Sequence, residues 1–309
     1  MEQYESEIRS RMYLNMIRWR QSGGIASKIY WMTEDLGLRV MISRFFNWKN
    51  NLYFAKHPSV GMQSAKDYFL SHKEDIEKVI SILQDDESRK TYRKIIRFRQ
   101  TMNNSDLPSN SYKSQYFGHK YFTYHDGEVF VDCGAYDGDT VRQFKKEMKK
   151  EHISKYTCVC FEPDAENFRA LSTNHKDAVC YQAGVWNKTK NLLFYVGQGD
   201  ASKIIDEDEA SSLSDEHIIS IPVKSIDETE CCNGATFIKM DIEGSEKMAI
   251  QGAKNTILRN KPKLAICIYH SDEDMIEIPL MIHEMVPEYK LYIKHHSNGT
   301  PETVLYATL

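Results

Sequence analysis

The turn at residues 132–140, Asp-Cys-Gly-Ala-Tyr-Asp-Gly-Asp-Thr, is the segment of the sequence best suited to hold a ligand. It joins an apolar run to a helical pattern, and open parallel sheets bind ligands at such turns, beyond the carboxyl ends of their strands. The dinucleotide fingerprint Gly-x-Gly-x-x-Gly is missing, because Tyr136 stands where a pyrophosphate would need bare backbone. An aspartate at the strand end followed by glycines instead suits a ligand with a cationic amino-acid group and no phosphate.

A second candidate is Glu162, which follows the apolar run 156–161. In nucleotide-binding sheets an acidic residue about 20 positions beyond the glycine turn accepts hydrogen bonds from ribose hydroxyls. Glu162 lies 24 residues after Gly138. Ribose binding is therefore predicted, and a role for Glu162 and Asp164 in capping the following helix is compatible with it.

Two more carboxylates, Asp241 and Glu243, follow the strand-like run 235–240. In an extended segment alternate side chains share a face, so the two are expected to point the same way. They could hold a cofactor ammonium group or accept a substrate proton. Glu246 is expected only to favour the N-terminus of the next helix.

His270 ends the apolar run 264–269 and is a candidate general base. Its unperturbed pKa near neutrality suits the removal of a hydroxyl proton, although a histidine at a strand end is often only a rim residue. The adjoining Ser-Asp-Glu-Asp segment at 271–274 could, with Asp241, bind a hard divalent ion. Carboxylate-rich rims are usually solvated, so no metal ligand is assigned.

The elements that must position these residues alternate between strands and helices from residue 128 onward, which predicts an α/β fold with a mostly parallel sheet. The last two strands are separated by a short turn at 297–301, and parallel strands cannot be joined so tightly, so a C-terminal antiparallel hairpin is expected at the sheet edge. The strand candidates are 128–132, 156–161, 177–182, 191–196, 217–223, 235–241, 263–269, 289–295 and 302–307.

The first part of the chain has apolar residues at helical rather than strand spacing. We predict a helical N-terminal domain at 1–125, which shapes the substrate side, and a cofactor-binding domain at 126–309. A linker is expected near 103–111, where helix-disfavouring residues dominate. The predicted helices are 3–20, 33–47, 63–83 and 86–102.

Composition excludes several classes of protein. The 309 residues carry a net charge of −4, and their mean hydropathy of −0.55 with no long apolar run argues against an integral membrane protein. The near balance of charge argues against nonspecific nucleic-acid binding. Seven cysteines without a Cys-x-x-Cys pair, and an N-terminus without a signal sequence, favour the cytoplasm. The oligomeric state is open, with a homo-oligomer possible.

Taken in order, the motifs Asp-x-Gly-Ala-x-x-Gly-Asp-Thr at 132–140, Phe-Glu-Pro at 161–163 and Ile-Lys-Met-Asp-Ile-Glu-Gly-Ser-Glu at 238–246 resemble those of the FkbM family of S-adenosylmethionine-dependent methyltransferases. The resemblance spans 128–270. It implies a Rossmann-like class I methyltransferase fold with a seven-stranded sheet, S-adenosylmethionine as cofactor, and methyl transfer to a hydroxyl oxygen on a small molecule, often a sugar or a natural-product scaffold.

The resemblance also implies roles for individual residues. Asp241 would stand near the methyl donor and, with Glu243 and His270, form the catalytic set. The segment 115–117 resembles one that often precedes the core of such enzymes and could close over the cofactor. The predicted cofactor-binding residues are Asp132, Gly134, Ala135, Tyr136, Asp137, Gly138, Asp139, Thr140, Glu162, Pro163 and Asp241.

The sequence leaves two alternative functions open. One is a catalytically inactive module that keeps the cofactor fold and binds a partner through the helical half, against which the intact motifs argue. The other is a nicotinamide-dependent oxidoreductase, which Tyr136 disfavours.

Overall fold

The computed structural model describes residues 60–108, 115–196, 202–205, 218–297 and 299–309. The helices predicted at 3–20 and 33–47 lie outside these residues. None of the described helices combines the length and the apolar character needed to cross a bilayer.

Seven strands form the central sheet: β1 (Glu128–Cys133), β2 (Tyr156–Phe161), β3 (Val179–Tyr181), β8 (Phe237–Met240), β9 (Lys263–Cys267), β10 (Lys290–His295) and β11 (Thr303–Thr308). Their spatial order is β10-β11-β9-β8-β1-β2-β3. Pairing is parallel from β3 through to β9, whereas β11 runs antiparallel to both β9 and β10. The predicted Rossmann-like α/β fold, with a mostly parallel seven-stranded sheet and a C-terminal antiparallel hairpin, is confirmed. Of the hairpin strands, β10 forms the edge and β11 lies one position inside it.

A second, four-stranded sheet lies in sequence between β3 and β8. It contains β4 (Gly184–Val185), β5 (Lys190–Val196), β6 (Ser202–Ile205) and β7 (Ile218–Lys224), in the order β4-β7-β5-β6. The strands predicted at 191–196 and 217–223 belong to it, but a separate sheet was not predicted. Both β4 and β6 were missed, because two to four residues are too few to show an alternating pattern.

Eight α-helices are described: α1 (Val60–Ser71), α2 (Lys73–Ile82), α3 (Asp86–Thr101), α4 (Asp139–Lys150), α5 (Ala165–Asn174), α6 (Glu246–Gly252), α7 (Lys254–Asn260) and α8 (Asp274–Met285). The single helix predicted at 63–83 is two helices, broken at His72. The ring Nδ1 of His72 lies 2.8 Å from the carbonyl oxygen of Tyr68, to which its own backbone N–H also donates. The Ile76 N–H also donates to the His72 carbonyl, so the interruption is confined to a single residue.

Helices α2 and α3 flank the outer edge of the sheet. Leu83 forms a parallel bridge with Leu291 of β10, and the N–H of Gln84 donates to the Leu291 carbonyl at 2.8 Å. Ser88 at the start of α3 accepts the N–H of Ile293 at 3.0 Å. The free edge of β10 is therefore covered by the chain that joins these two helices.

Contacts group Val60–Thr101 and Asp106–Leu309 into one compact unit. Within this unit α3 packs on β10, α2 packs on α8, and α1 packs on α3. The division of the chain at residue 125 stays a prediction.

Aromatic side chains dominate the core beneath the sheet. Phe130 of β1 stacks on Phe144 of α4 with ring centroids 4.5 Å apart. Phe117, from the segment before β1, meets Phe237 of β8 edge-on at 5.6 Å. These rings are fully or nearly fully buried, and each contributes on the order of 2 kcal/mol through burial alone. They fix the segment 115–124 against the strands that carry the candidate site.

Two histidines sit near this core, and burial lowers the pKa of each to about 4: His119 and His295. The Nε2 of His119 lies 3.1 Å from the Gln115 carbonyl oxygen, and its ring packs 4.7 Å from that of Tyr306. Both histidines therefore stay neutral in the folded protein at pH values where an unfolded chain would bind protons.

We expect the free energy of unfolding to fall as the pH drops from 7 to 5, because the unfolded chain gains protons that the folded histidines do not. The His119 contribution is about 2 kcal/mol, and His119→Phe should remove it. Urea unfolding at the two pH values measures this. The exposed His125 is the control, and His125→Gln should leave the pH dependence unchanged. An equal loss in wild type and His119→Phe would contradict the assignment.

Candidate active site

The turn after β1 requires its two glycines. The N–H groups of Gly134 and Ala135 both donate to the Phe161 carbonyl at 3.0 Å, which folds the turn over the end of β2. Gly134 has φ +79°, and a Cβ there would lie 2.0 Å from the backbone oxygen of Asp241. Gly138 has φ +86° and begins α4, and a Cβ there would lie 2.3 Å from the His175 ring. The close approach brings the ends of β1, β2 and β8 together.

A buried ion pair lies directly beneath this turn. Asp132 is fully buried, and its Oδ1 lies 3.1 Å from Nζ of Lys239 in β8. The same ammonium donates to the carbonyl oxygens of Gly134 at 2.7 Å and Cys133 at 3.3 Å. The carboxylate of Asp132 therefore faces Lys239 within the protein, and its role in cofactor binding stays a prediction.

The pKa values of this pair reflect opposing effects. Burial would lower the pKa of Lys239, but Asp132 and Asp241 outweigh it and raise that pKa. Burial raises the pKa of Asp132 to about 6, against the opposing charge of Lys239. Lys239 was not predicted to have a role. The one signal in the sequence was a lysine inside an otherwise apolar strand.

Glu162 ties the turn after β1 to the turn after β2. Its Oε2 accepts the N–H of Tyr136 and its Oε1 accepts the N–H of Asp164, each at 2.9 Å. Burial raises the pKa of Glu162, and the two backbone hydrogen bonds oppose that rise. Because each carboxylate oxygen has a second lone pair, both can still accept a hydrogen bond from a ligand.

The other predicted cofactor residues differ in exposure. Tyr136 has φ +48° and an exposed side chain, and Asp137 pairs with Arg142 at 3.2 Å near the surface. Asp139 accepts the N–H of Thr140 at 2.8 Å in the first turn of α4. Ala135 and Thr140 are buried, whereas Pro163 is exposed.

Asp241 lies at the end of β8 and is held by two phenols. Tyr116 donates to its Oδ2 at 2.9 Å, and Tyr269 donates to its Oδ1 at 3.1 Å. Burial would raise the pKa of Asp241, but Lys239, His270 and the phenols outweigh burial and lower it. The segment 115–117 thus reaches the carboxyl edge through Tyr116. Tyr269 was missed, although it directly precedes His270 in the sequence.

His270 lies among three carboxylates. Its Nδ1 is 3.0 Å from Oε1 of Glu246, and its Nε2 is 3.4 Å from Oδ1 of Asp241 and 3.6 Å from Oε2 of Glu243. Burial would lower the pKa of His270, but Glu246 and the other carboxylates raise it. The three predicted catalytic residues therefore meet at one imidazole.

Two expectations about this cluster were wrong. The segment 241–243 is not extended, because β8 ends at Met240 and Glu243, at φ +56°, lies in a turn with its side chain 90% exposed. Glu246 does more than begin α6, since its side chain is fully buried and its Oε1 accepts the N–H of Ile242 at 2.8 Å.

The acidic residues of segment 271–274 do not form a shared ion-binding cluster with Asp241. Asp272 pairs with the largely buried Arg99 of α3 at 2.6 Å. Asp274 is buried at the start of α8, and its backbone N–H donates to Ser271 Oγ at 3.0 Å. A hydrogen-bonded turn, rather than an open rim, follows His270.

The sheet is Rossmann-like, and its glycine turn and acidic side chains meet at the carboxyl edge. The family model described as the methyltransferase FkbM domain matches residues 132–296. This chain belongs to the FkbM methyltransferase family, as its motifs predicted. The cofactor predicted with the family, S-adenosylmethionine, is confirmed at the level of the family, while the residues that hold it stay predictions.

One solved structure shares the fold over most of this chain. The methyltransferase FkbM from Methylobacillus flagellatus KT is 25% identical with a TM-score of 0.64, and the match covers 79% of this chain and 60% of that one. This chain thus spans 60% of the length of that relative. Two more distant matches are an Aquifex aeolicus SAM-dependent methyltransferase (10% identity, TM-score 0.33, 75% and 97% covered) and Aeropyrum pernix fibrillarin with bound S-adenosylmethionine (11%, 0.32, 59% and 67%). No curated protein matches the chain.

We expect Asp132→Asn to lower the free energy of unfolding by about 3 kcal/mol, because it leaves the buried Lys239 ammonium without its counter-charge. The double variant Asp132→Asn/Lys239→Met should lose less than the sum of the single variants. Urea unfolding measures the cycle. The exposed pair Lys145–Asp177, at 2.6 Å, is the control, and Asp177→Asn should cost no more than about 1 kcal/mol. Additive losses at Asp132 and Lys239 would argue that they do not interact.

Proposed function

We propose that this protein transfers a methyl group from S-adenosylmethionine to a hydroxyl oxygen of a small molecule, such as a sugar or a natural-product-like scaffold. Family membership supports methyl transfer. The proposal that the acceptor atom is an oxygen, and that it belongs to a sugar or natural product, rests on the motif resemblance. The polar cluster of Asp241, Glu243 and His270 beside the glycine turn also supports a hydroxyl acceptor.

The charge of the carboxyl edge supports this cofactor over a dinucleotide. Glu162 and Asp241 place carboxylates on either side of the turn after β1, and Asp137 and Asp139 lie within the turn. A sulfonium and an ammonium group are attracted to such an edge, whereas a pyrophosphate is repelled. The Tyr136 N–H, which a phosphate would need, is already accepted by Glu162.

Glu162 is the residue best placed to bind the ribose. Its carboxylate is fixed by two backbone N–H groups, so it is oriented before any ligand arrives, and both oxygens retain acceptor capacity. Gly134 and Gly138 let the turn approach Asp241 and His175 closely, which places its backbone at the carboxyl edge, where the amino-acid portion of the cofactor would lie. The residues therefore fit the cofactor.

When bound, S-adenosylmethionine supplies the methyl group as an electrophilic sulfonium. The chain contributes mainly by holding donor and acceptor in line, which can account for a large part of the rate. Asp241 is held at the tip of β8 by Tyr116 and Tyr269, so it would be oriented already for a cofactor bound beside the glycine turn. The cluster around His270 orients the acceptor hydroxyl and favours loss of its proton.

The cytoplasmic location is part of the proposal. All seven cysteines are free, as a reducing compartment would leave them. The acceptor is a small molecule in this proposal, and neither a nucleic acid nor a membrane surface is expected to be a partner.

Binding of S-adenosylhomocysteine, followed by calorimetry, tests the cofactor site. We expect Glu162→Ala to weaken binding about 30-fold or more, because losing charged hydrogen bonds to ribose costs about 2 kcal/mol. Far-UV circular dichroism checks that the variant folds. Glu166→Ala, an exposed carboxylate in the first turn of α5, is the matched control and should bind as wild type does.

Unchanged affinity in Glu162→Ala would remove the ribose assignment. No binding by the wild-type chain would remove the proposed function. If the wild type binds the cofactor yet turns over no hydroxyl acceptor from a panel of sugars and natural products, the inactive binding module becomes the better description.

A further inference from the structure

The buried His270 ring lies close to carboxylates but forms no hydrogen bond with the described residues. Its side chain is only 8% exposed, and Oε1 of Glu246 is 3.0 Å from Nδ1. Neither ring nitrogen, however, makes a hydrogen bond of acceptable geometry with the described residues. At 3.0 Å the failure is one of direction rather than distance, so the carboxylate oxygen lies off the N–H axis.

Glu246 shows the same deficit. Its side chain is fully buried, and its Oε2 has no hydrogen-bond partner among the described residues. A buried carboxylate oxygen without a partner is unfavourable, because it has lost the hydrogen bonds that water would give it. Two buried polar side chains thus face each other with unused lone pairs.

The spacing of these atoms matches the ligands of one metal ion. Asp241, Glu246 and His270 each offer a ligand atom, and the three atoms lie within 4.8 Å of one another. Ligands about 2.1 Å from an ion are about 3.0 Å apart at right angles and about 4.2 Å apart when opposite. If Glu246 and His270 bound the same ion, Oε1 of Glu246 would lie about 3.0 Å from the ring nitrogen and away from the N–H direction, as it does here.

Asp241 can take part although two phenols already donate to it. A carboxylate has about four lone-pair sites, and Tyr116 and Tyr269 use one on each oxygen. In protein metal sites, ligating carboxylates are commonly oriented by such outer hydrogen bonds. The phenols therefore fix Asp241 for an ion as well as for a cofactor.

The lysines nearest the cluster are shared with carboxylates outside it. Lys239 is paired with Asp132, and Lys247 lies 2.6 Å from Glu277 and 3.6 Å from the buried Asp274. Neither oxygen of Asp274 has a hydrogen-bond partner in the described part of the chain. A divalent ion would offset this excess of buried negative charge.

We propose that Asp241, Glu246 and His270 bind a divalent transition-metal ion. One imidazole with two carboxylates suits Mn²⁺ or Zn²⁺, whereas Mg²⁺ and Ca²⁺ favour oxygen ligands alone. Three protein ligands leave coordination positions open. No metal ligand was predicted from the sequence, and in this arrangement His270 binds the ion instead of acting as the base.

The role of the ion in the reaction rests on the proposed function, but its binding does not. An acceptor hydroxyl that occupies an open coordination position would have its pKa lowered, so its proton leaves more readily as the C–O bond forms and the C–S bond breaks. The proton passes to solvent, and the sulfur leaves as a neutral thioether.

Titration of Mn²⁺ into the full chain, followed by the electron paramagnetic resonance signal of the free ion, tests the site. We expect saturable binding of one ion per chain, displaced by Zn²⁺. Glu246→Gln and His270→Gln should each weaken binding at least tenfold. Glu246→Gln preserves side-chain volume and an acceptor for the Ile242 N–H. Glu277→Gln is the matched control, because Glu277 is half-exposed and reaches the cluster only through Lys247.

Thermal unfolding without metal checks that the variants fold, and Asp241→Asn decides the outcome should Glu246→Gln not fold. The site is ruled out if the wild type binds no Mn²⁺ or Zn²⁺, or if Glu277→Gln weakens binding as much as the ligand variants do. Calorimetry with S-adenosylhomocysteine and no metal separates the two proposals. A chain that binds the nucleoside but no ion loses only the metal site, and the reverse result removes only the proposed function.

Discussion

The ammonium group of Lys239 is the interaction on which the carboxyl edge of the sheet depends. It is buried between β1 and β8, where an unpaired charge could not be tolerated, and it is balanced by Asp132 and by two carbonyl oxygens of the glycine turn. Those carbonyls belong to Cys133 and Gly134, and the Cys133 carbonyl also accepts the backbone N–H of Asp241. The same charge therefore shapes the turn after β1 and stabilises the ionised carboxylate at the tip of β8.

Around this charge, the carboxylates of the candidate site accept hydrogen bonds from donors that belong to the fold itself. Glu162 is held by backbone N–H groups, Asp241 by two phenols, and Glu246 by the N–H of Ile242. Carboxylates oriented in this way need little reorganisation when a cationic ligand arrives, which is the condition under which electrostatic stabilisation is most effective. These acids repel one another, and the fold holds them at the end of β2, at the end of β8 and in the first turn of α6.

Much of the fold is readable from the sequence, and the reasons for the failures are physical. Continuous apolar runs located β1, β2, β8 and β9, because runs of this length bounded by turn residues are too short for a typical helix. The break at His72 spans a single residue, and the second sheet contains strands too short to leave a pattern. Neither is visible in periodicity.

Some residues of the candidate site could likewise be predicted from the sequence, and others could not. Gly134, Glu162 and Asp241 could be found because each follows a strand at a motif position. The parts played by Lys239 and Glu246 depend on what a side chain meets across the sheet, which sequence spacing does not report. Glu243 was expected on a strand face, but the left-handed backbone at that position turns it outward.

The covering of β10 by Leu83 and Gln84 limits how this chain can be shortened. A fragment that begins at the first strand would keep every motif of the family and lose the segment that occupies the outermost row of amide and carbonyl groups. Unprotected strand borders of this kind template intermolecular pairing. The contacts of Leu83, Gln84 and Ser88 with β10 thus protect this border of the sheet from pairing with a second chain.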